Sequence, residues 1–362
     1  MFQSDAKVSS AIRELFHHPE IPESSDIHLY RDHVPVVRKH GDLTELSLPV
    51  MTASDIEGLL VAAGSPSVLE RIRAEKNLDF AFTVNVNGSN MRFRANFFFA
   101  NGTLGACLRL IPEAIPSLDW AEFPVELAEK LAAPLDGLII LTGATGSGKS
   151  TSLAMIVNLL SKQGGSRIIT VEEPIEYQFP RSRHSVITQR EVGVDVLSFA
   201  DGLKYGLRQD PDVILVGEVR DRETAQMALS AAETGHLVFT TLHTRDAKGA
   251  ISRFADLFPL DMQKDVRTQL AMSLRAIVAQ RLLPDPVKGA KRHLALEVLW
   301  NINPVAAGIR QGKLESIDNY LITARDEGLL SFDESVRQLL RRKMITRDVA
   351  LRNVREPMML DR

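Results

Sequence analysis

The segment GATGSGKS at 143–150 matches the phosphate-binding loop pattern GxxxxGK[ST]. The apolar run LIILT (138–142) before it predicts a short buried strand, and TSLAMIVNLLS (151–161) after it predicts a helix with one apolar side. Between a strand and a helix, the backbone N–H groups of such a loop and the positive end of the helix dipole form a site for nucleotide phosphates. A glycine turn that binds nothing would explain the glycines, but not a lysine and a hydroxyl at this spacing.

The loop predicts ATP and Mg²⁺ as ligands. Lys149 is expected to reach the β- and γ-phosphates, and the Ser150 hydroxyl is expected to bind Mg²⁺. The other residues expected to contact the nucleotide belong to the loop or to the first helical turn: Gly143, Thr145, Gly146, Ser147, Gly148 and Thr151.

Turn residues and periodicity divide the chain into four segments. We predict an N-terminal α+β domain at 1–118 whose first helix runs from Lys7 to His17, a proline-marked linker at 119–135, a P-loop ATPase domain at 136–293 and a helical C-terminal region at 294–362. In the third segment, apolar runs alternate with helical stretches, which predicts an α/β fold with a parallel sheet covered on both faces. The predicted strands of that sheet are 138–142, 167–171, 213–217 and 237–242.

Composition narrows the class of protein. A net charge of −3 over 362 residues argues against a nucleic-acid partner. Cys107 is the only cysteine, which excludes an internal disulfide and a four-cysteine zinc site. The sequence has no N-terminal apolar signal region and no apolar stretch of the roughly 20 residues that a membrane span needs. We therefore expect a cytoplasmic protein.

Acidic residues at strand ends distinguish an ATPase from a protein that only binds nucleotide. Glu218 follows the apolar run at 213–217 and could serve Mg²⁺ or the attacking water. Glu172 and Glu173 end the run at 167–171 and could hold or deprotonate that water. His243 closes the strand at 237–242, at the sheet edge where ligands of α/β proteins bind, and is a candidate γ-phosphate sensor. His236 opens that strand, and its position fits a functional role and a structural role equally well.

The motifs resemble those of the secretion ATPases and, within them, the type IV pilus retraction motors (PilT-like proteins). ITVEEPIEY (169–177) is similar to the aspartate box of that family, LRQDPDVILVGEVRD (207–221) to its Walker B segment, and TGHLVFTTLHT (234–244) to its histidine box. SDIHL (25–29) and RFRANFF (92–98) resemble its N-terminal domain, so the resemblance covers nearly the whole chain.

This resemblance implies roles for individual residues. Glu172 would be the catalytic glutamate that positions water, Glu218 the Walker B glutamate that supports Mg²⁺, and His243 a histidine close to the phosphates. Arg94 and Arg109 match the arginines that reach the nucleotide across a domain interface in such motors, a task that suits the rigid guanidinium fork.

The resemblance also implies the setting of the activity. It predicts a PAS-like N-terminal domain before a RecA-like P-loop domain, and a homo-hexamer that hydrolyses ATP to drive pilus retraction and twitching motility. The ring would act at the inner face of the cytoplasmic membrane, associated peripherally through an inner-membrane pilus platform protein.

Two departures from the family pattern leave alternatives open. Glu173 occupies a position where the family usually has aspartate, and the stretch at 303–313 keeps only the end of the C-terminal retraction motif. A secretion-system or pilus-assembly ATPase of the same superfamily is therefore the nearest alternative. From other classes, a RecA-like DNA-handling ATPase is disfavoured by the charge balance, and a nucleotide-binding scaffold without turnover does not explain the strand-end glutamates.

Overall fold

The chain forms two compact units. The computed structural model describes residues 8–39, 42–112, 114–287 and 290–361. Unit 1 contains the described residues up to Ala114 together with the short segment Pro174–Gln178, and unit 2 contains Ile115–Glu173 and Phe179 onwards. Among the described residues, no helix has both the length and the apolar character that crossing a bilayer requires.

Unit 1 is an α+β domain built on an antiparallel sheet with the strand order β3-β2-β1-β6-β5-β4. Its strands are β1 (Asp26–Leu29), β2 (Val36–Lys39), β3 (Asp42–Glu45), β4 (Asn77–Val86), β5 (Ser89–Ala100) and β6 (Thr103–Ile111). Its helices are α1 (Ser10–His17), α2 (Ala53–Ala63) and α3 (Val68–Glu75). The predicted start of the first helix, Lys7, lies outside the described residues.

Alternation along β5 separates the core face of this sheet from its polar face. Phe93, Ala95 and Phe97 are fully buried in the core of unit 1. Successive side chains of a strand point to opposite faces. Arg92 and Arg94, which alternate with these residues, therefore lie on the polar face.

Unit 2 is built on a sheet with the strand order β13-β12-β7-β11-β10-β8-β9, in which β13 alone is antiparallel to its neighbour. Its strands are β7 (Gly137–Thr142), β8 (Arg167–Glu172), β9 (Val186–Glu191), β10 (Val213–Val216), β11 (Leu237–Leu242), β12 (Leu274–Pro284) and β13 (Arg292–Trp300). Its helices are α4 (Val125–Ala132), α5 (Lys149–Gln163), α6 (Phe199–Gly206), α7 (Arg222–Glu233), α8 (Ala247–Asp256), α9 (Gln263–Ser273), α10 (Asn303–Gln311), α11 (Ser316–Thr323), α12 (Phe332–Arg341) and α13 (Arg347–Asn353).

The central strands explain why this sheet forms. Every residue of β7, β10 and β11 is buried, as their continuous apolar runs require in a sheet covered on both faces. The predicted α/β class is confirmed. Six neighbouring strands of this sheet are parallel, so their carboxyl ends share one edge: β12, β7, β11, β10, β8 and β9.

The predicted linker at 119–135 is instead a packed part of unit 2. Phe123 and, on α4, Ala128, Leu131 and Ala132 are buried in the main core of that unit. The prolines that suggested a linker stop before the helix, since Pro124 is its N-cap. The apolar spacing that follows Pro124 was the stronger signal.

The prediction of helical structure from 294 onwards was wrong over 294–300. These residues belong to β13, which pairs with β12, a strand that the sequence analysis did not identify. Leu294–Trp300 is buried throughout, as a strand covered on both faces requires. The helices predicted beyond it are present as α10 to α13.

Candidate active site

The phosphate-binding loop needs glycine at three positions for two physical reasons. Gly143 has φ +150°, and a Cβ there would lie 2.5 Å from the Gln280 carbonyl oxygen and 2.6 Å from the Ser147 Oγ. Gly146 and Gly148 have φ +76° and +91°, a backbone conformation that strains residues with a Cβ. The first glycine therefore permits close packing, and the other two permit the turn into α5.

Lys149, the first residue of α5, extends back into the loop. Its Nζ donates hydrogen bonds to the carbonyl oxygens of Gly143 (2.8 Å) and Ala144 (3.1 Å). In the part of the chain that the structure describes, the buried Ser147 Oγ has no hydrogen-bond partner. A buried ammonium group and a buried unpaired hydroxyl beside a helix N-terminus fit the oxygens of a bound phosphate. Ser150, one residue further, is exposed.

The other sequence-predicted site residues follow neighbouring strands at the same sheet edge. His243 follows β11, Glu218 follows β10 after one glycine, and Glu172 ends β8. The strand order places β11 directly beside β7 and β10 beyond it. Thr142 ends β7, and its Oγ1 lies 2.8 Å from the Oγ1 of Thr244, which follows β11. This contact joins the carboxyl ends of β7 and β11.

Glu218 is the centre of a charged cluster. Its carboxylate lies 2.7 Å from Nη2 of Arg220 and 3.3 Å from Nε2 of His243. Nη1 of Arg220 lies 3.5 Å from the Glu173 carboxylate, so one guanidinium group joins the ends of β8 and β10. Although partial burial opposes ionisation, the Arg220 hydrogen bond and the neighbouring His243 hold the pKa of Glu218 below its usual value. Glu218 is therefore ionised at neutral pH.

Two neutral side chains donate hydrogen bonds to Glu172. Oγ1 of Thr170 donates to Oε1 of Glu172 at 2.6 Å, and Nε2 of Gln189 donates to the same oxygen at 3.2 Å. Thr170 is fully buried and belongs to the same strand. Two hydrogen bonds to one oxygen restrict the orientation of the carboxylate.

The two candidate site arginines of unit 1 are cross-strand neighbours. Arg94 on β5 is in register with Arg109 on β6. Arg109 forms a 2.9 Å ion pair with Asp26, whose hydrogen bond raises the pKa of the guanidinium. Arg94 lies 3.7 Å from the carboxylate of Asp79 and 3.9 Å from that of Glu176, all within unit 1. The nucleotide contact expected of both arginines stays a prediction.

His236 lies at the opposite edge of the sheet. It precedes β11, and its Nδ1 is 3.0 Å from the carbonyl oxygen of Ala231 in α7. Its backbone oxygen accepts from Gly137 N, at the start of β7. His236 therefore supports the turn between α7 and β11, away from the loop.

The residues at the candidate site that sequence reasoning missed include Gln189 and Gln280. Gln189 lies on β9, a strand that was not predicted, so its position beside Glu172 could not be inferred. Gln280 lies on β12, is fully buried, and donates from Nε2 to Oγ of Ser152 in α5 at 2.8 Å. The short apolar run 276–279, which ends directly before Gln280, was the available signal for this strand.

Several known proteins resemble this chain in sequence or in fold. Residues 3–312 match the family described as type II/IV secretion system protein. A twitching motility protein of Neisseria gonorrhoeae is 38% identical over 319 residues, which cover 88% of this chain and 83% of that protein. The type IV pilus retraction ATPase PilT of Pseudomonas aeruginosa is 34% identical over 334 residues, covering 92% of this chain and 95% of PilT.

A solved structure has the same fold as this chain. The crystal structure of the pilus retraction motor PilT with bound ADP superposes with a TM-score of 0.86 at 37% sequence identity. The superposition covers 98% of this chain and 99% of that one.

Proposed function

Because this chain belongs to the family of type II/IV secretion system proteins, we propose that it is a motor ATPase that drives type IV pilus retraction. The observation that carries the proposal is the shared sheet edge, where the phosphate-binding loop, His243, Glu218 and Glu172 end four adjacent strands. A loop alone would support nucleotide binding. The two carboxylates in different surroundings add the means to hydrolyse ATP.

The loop would bind the nucleotide, with Lys149 moving its ammonium from the loop carbonyls to the β- and γ-phosphates. Ser150 and Glu218 would hold Mg²⁺, a cation that proteins commonly bind through one or two carboxylates together with substrate phosphates. When bound, Mg²⁺ would neutralise negative charge that develops on the phosphate oxygens. The low pKa of Glu218 suits this role because the group stays ionised.

Glu172 would orient the attacking water and accept its proton as the water oxygen bonds to the γ-phosphorus and the bond to ADP breaks. Its carboxylate is held by two neutral donors, Thr170 and Gln189. Glu218 is engaged by Arg220 and His243, and its lowered pKa makes it a weak base. His243 would report the presence of the γ-phosphate to β11.

The motor would be a homo-hexamer acting on a pilus platform protein at the inner face of the cytoplasmic membrane. Arg94 and Arg109 would reach the nucleotide from unit 1, and loss of the γ-phosphate would release them, so that hydrolysis drives movement of unit 1 against unit 2. The family resemblance supports the hexamer and the arginine roles.

Deletion of the gene in its host tests the direction of the motor. Surface pili should remain or become more abundant and twitching should be lost, because polymerisation continues while withdrawal stops. Electron microscopy and a motility assay measure both, with wild-type and Lys149→Ala genes supplied in trans as positive and negative controls. Cells without pili would indicate an extension motor, and unchanged pili with defective export would indicate a secretion ATPase.

The chemistry is tested with the purified protein. Lys149→Ala should abolish tight ATP binding because the phosphates lose their cation. Glu172→Gln and Glu218→Gln should bind ATP and lose turnover by roughly 10²-fold or more. Binding of a fluorescent ATP analogue and release of phosphate separate the two effects. Near wild-type turnover in Glu172→Gln would assign the role of base to another carboxylate, with Glu173 the first to be tested.

A further inference from the structure

Gln189 occupies a defined position beside Glu172. β9 and β8 are parallel, and Gln189 is in register with Thr170. Side chains two residues apart on a strand share a face, and so do residues in register on neighbouring strands. Thr170, Glu172 and Gln189 therefore lie on one face of the sheet. Their side chains converge at Oε1 of Glu172.

The orientation of the Gln189 amide is set by its second partner. The backbone N–H of Phe179 donates to Oε1 of Gln189 at 3.0 Å. Only the amide oxygen can accept that hydrogen bond, so the amide nitrogen must point to the other side, where it donates to Glu172 at 3.2 Å. Gln189 thus connects the carboxylate of Glu172 with Phe179, at the point where the chain re-enters unit 2.

We propose that Gln189 is a positioning residue that, together with Thr170, holds the Glu172 carboxylate in the orientation that water activation requires. This inference rests on the proposed function of Glu172. The Thr170 bond, at 2.6 Å, has the length of a hydrogen bond from a hydroxyl to an ionised carboxylate. A glutamate side chain has three rotatable bonds, and a base misplaced by about 1 Å can cost 10²-fold in rate. Two donors on one oxygen remove that freedom.

Two substitutions at position 189 separate positioning from support of the fold. Gln189→Glu has nearly the same shape and still accepts from Phe179, but it replaces the donor to Glu172 with a like charge. Gln189→Met removes the hydrogen bonds to Glu172 and Phe179 at similar volume. If the bond to Glu172 is the important one, both variants lose kcat, and Gln189→Glu loses more. If Gln189 only supports Phe179, Gln189→Glu keeps the wild-type rate.

Steady-state ATPase measurements on the full chain test this. We expect Gln189→Met to lower kcat about 10- to 100-fold with KM for ATP changed less than about twofold. Gln269→Met is the matched control, because Gln269 also lies beside a carboxylate, Glu233, at 3.5 Å in a helical part of unit 2. Its rate should equal that of the wild type.

Combination with Glu172→Gln gives the decisive comparison. In that background Gln189→Met should cause no further loss, because the group that it orients is no longer a base. An equal loss in both backgrounds, or a wild-type rate in Gln189→Glu, would overturn the inference. If Gln189→Met does not fold, the Gln189→Glu rate decides alone. A wild-type rate in Glu172→Gln itself would contradict the proposed base, whereas loss there with a normal rate in Gln189→Glu would reject only the role of Gln189.

Discussion

Glu297 is an ionisable side chain in the interior of unit 2. It lies on β13 with 2% exposure, and its Oε1 accepts a 2.9 Å hydrogen bond from the backbone N–H of Ala247, the first residue of α8. Burial raises the pKa of Glu297 to about 7, and nearby Asp246 acts in the same direction. The Ala247 N–H and the charges of Arg355 and Arg281 oppose this shift only in part.

This raised pKa makes the stability of unit 2 depend on pH. A carboxyl whose pKa is higher in the folded than in the unfolded state stabilises the fold fully below the unfolded value, near 4.5, and loses that contribution as pH rises through about 7. We expect Glu297→Gln, which keeps an acceptor for Ala247, to remove a pH-dependent loss on the order of 3 kcal/mol. Urea unfolding at pH 5 and pH 8.5 measures it.

The control for this prediction is Glu315→Gln, at an exposed position. That variant should keep the wild-type decrease in unfolding free energy between the two pH values. An identical decrease in Glu297→Gln and the wild type would show that Glu297 does not titrate in this range.

At the scale of secondary-structure elements, α4 shows that a segment punctuated by prolines can belong to a core. Leu131 is fully buried on this helix and Val125, at its first turn, is 46% exposed. Both lie within 119–135, the stretch that the sequence suggested was a linker. If α4 belongs to the core of unit 2, its two faces must differ in their sensitivity to truncation.

Leu131→Ala is expected to lower the free energy of unfolding by about 2–5 kcal/mol, because it removes a buried side chain and leaves a cavity. Val125→Ala, on the exposed side of the same helix, should change it by about 0.5 kcal/mol or less. Urea unfolding followed by circular dichroism compares the two. Equal effects would mean that α4 is a tether with no preferred face.

Local signals made the loop and its flanking elements predictable. The conformation at 143–150 depends on glycines and on a strand and a helix that adjoin it in sequence, so a short pattern was sufficient. β9 is different, because only part of it is buried and its sequence VITQRE has no clear alternation of apolar and polar residues. Its register with β8 arises from tertiary pairing, and Gln189 could not be placed beside Glu172 without that register.

At the scale of the whole molecule, the two units have separate cores, and the predicted fold class, an N-terminal α+β domain followed by a larger α/β domain, is confirmed. The change of unit after Ala114 lies close to the predicted boundary at 118. The C-terminal helices are not a unit of their own. They follow β13, an edge strand of the unit 2 sheet, and α10 and α11 contribute Val305, Ile309, Ile317 and Leu321 to its core.

The sequence could not show that Pro174–Gln178 belongs to unit 1. The segment follows Glu172 and Glu173 directly and was read as part of one motif with them. Its assignment depends on contacts with β5: Nη1 of Arg92 donates to the backbone oxygen of Glu176 at 3.3 Å, and Arg94 lies near the carboxylate of the same residue. Such contacts join residues about 80 positions apart, beyond the reach of any pattern along the chain.

The path of the chain through Pro174–Gln178 limits rotation of one unit relative to the other. A domain joined to another by a single chain segment can rotate freely about that segment. Here the chain crosses between the units after Ala114, again after Glu173 and again after Gln178. A full rotation of one unit would wind these three chain segments around each other, so the covalent path rules out continuous rotation.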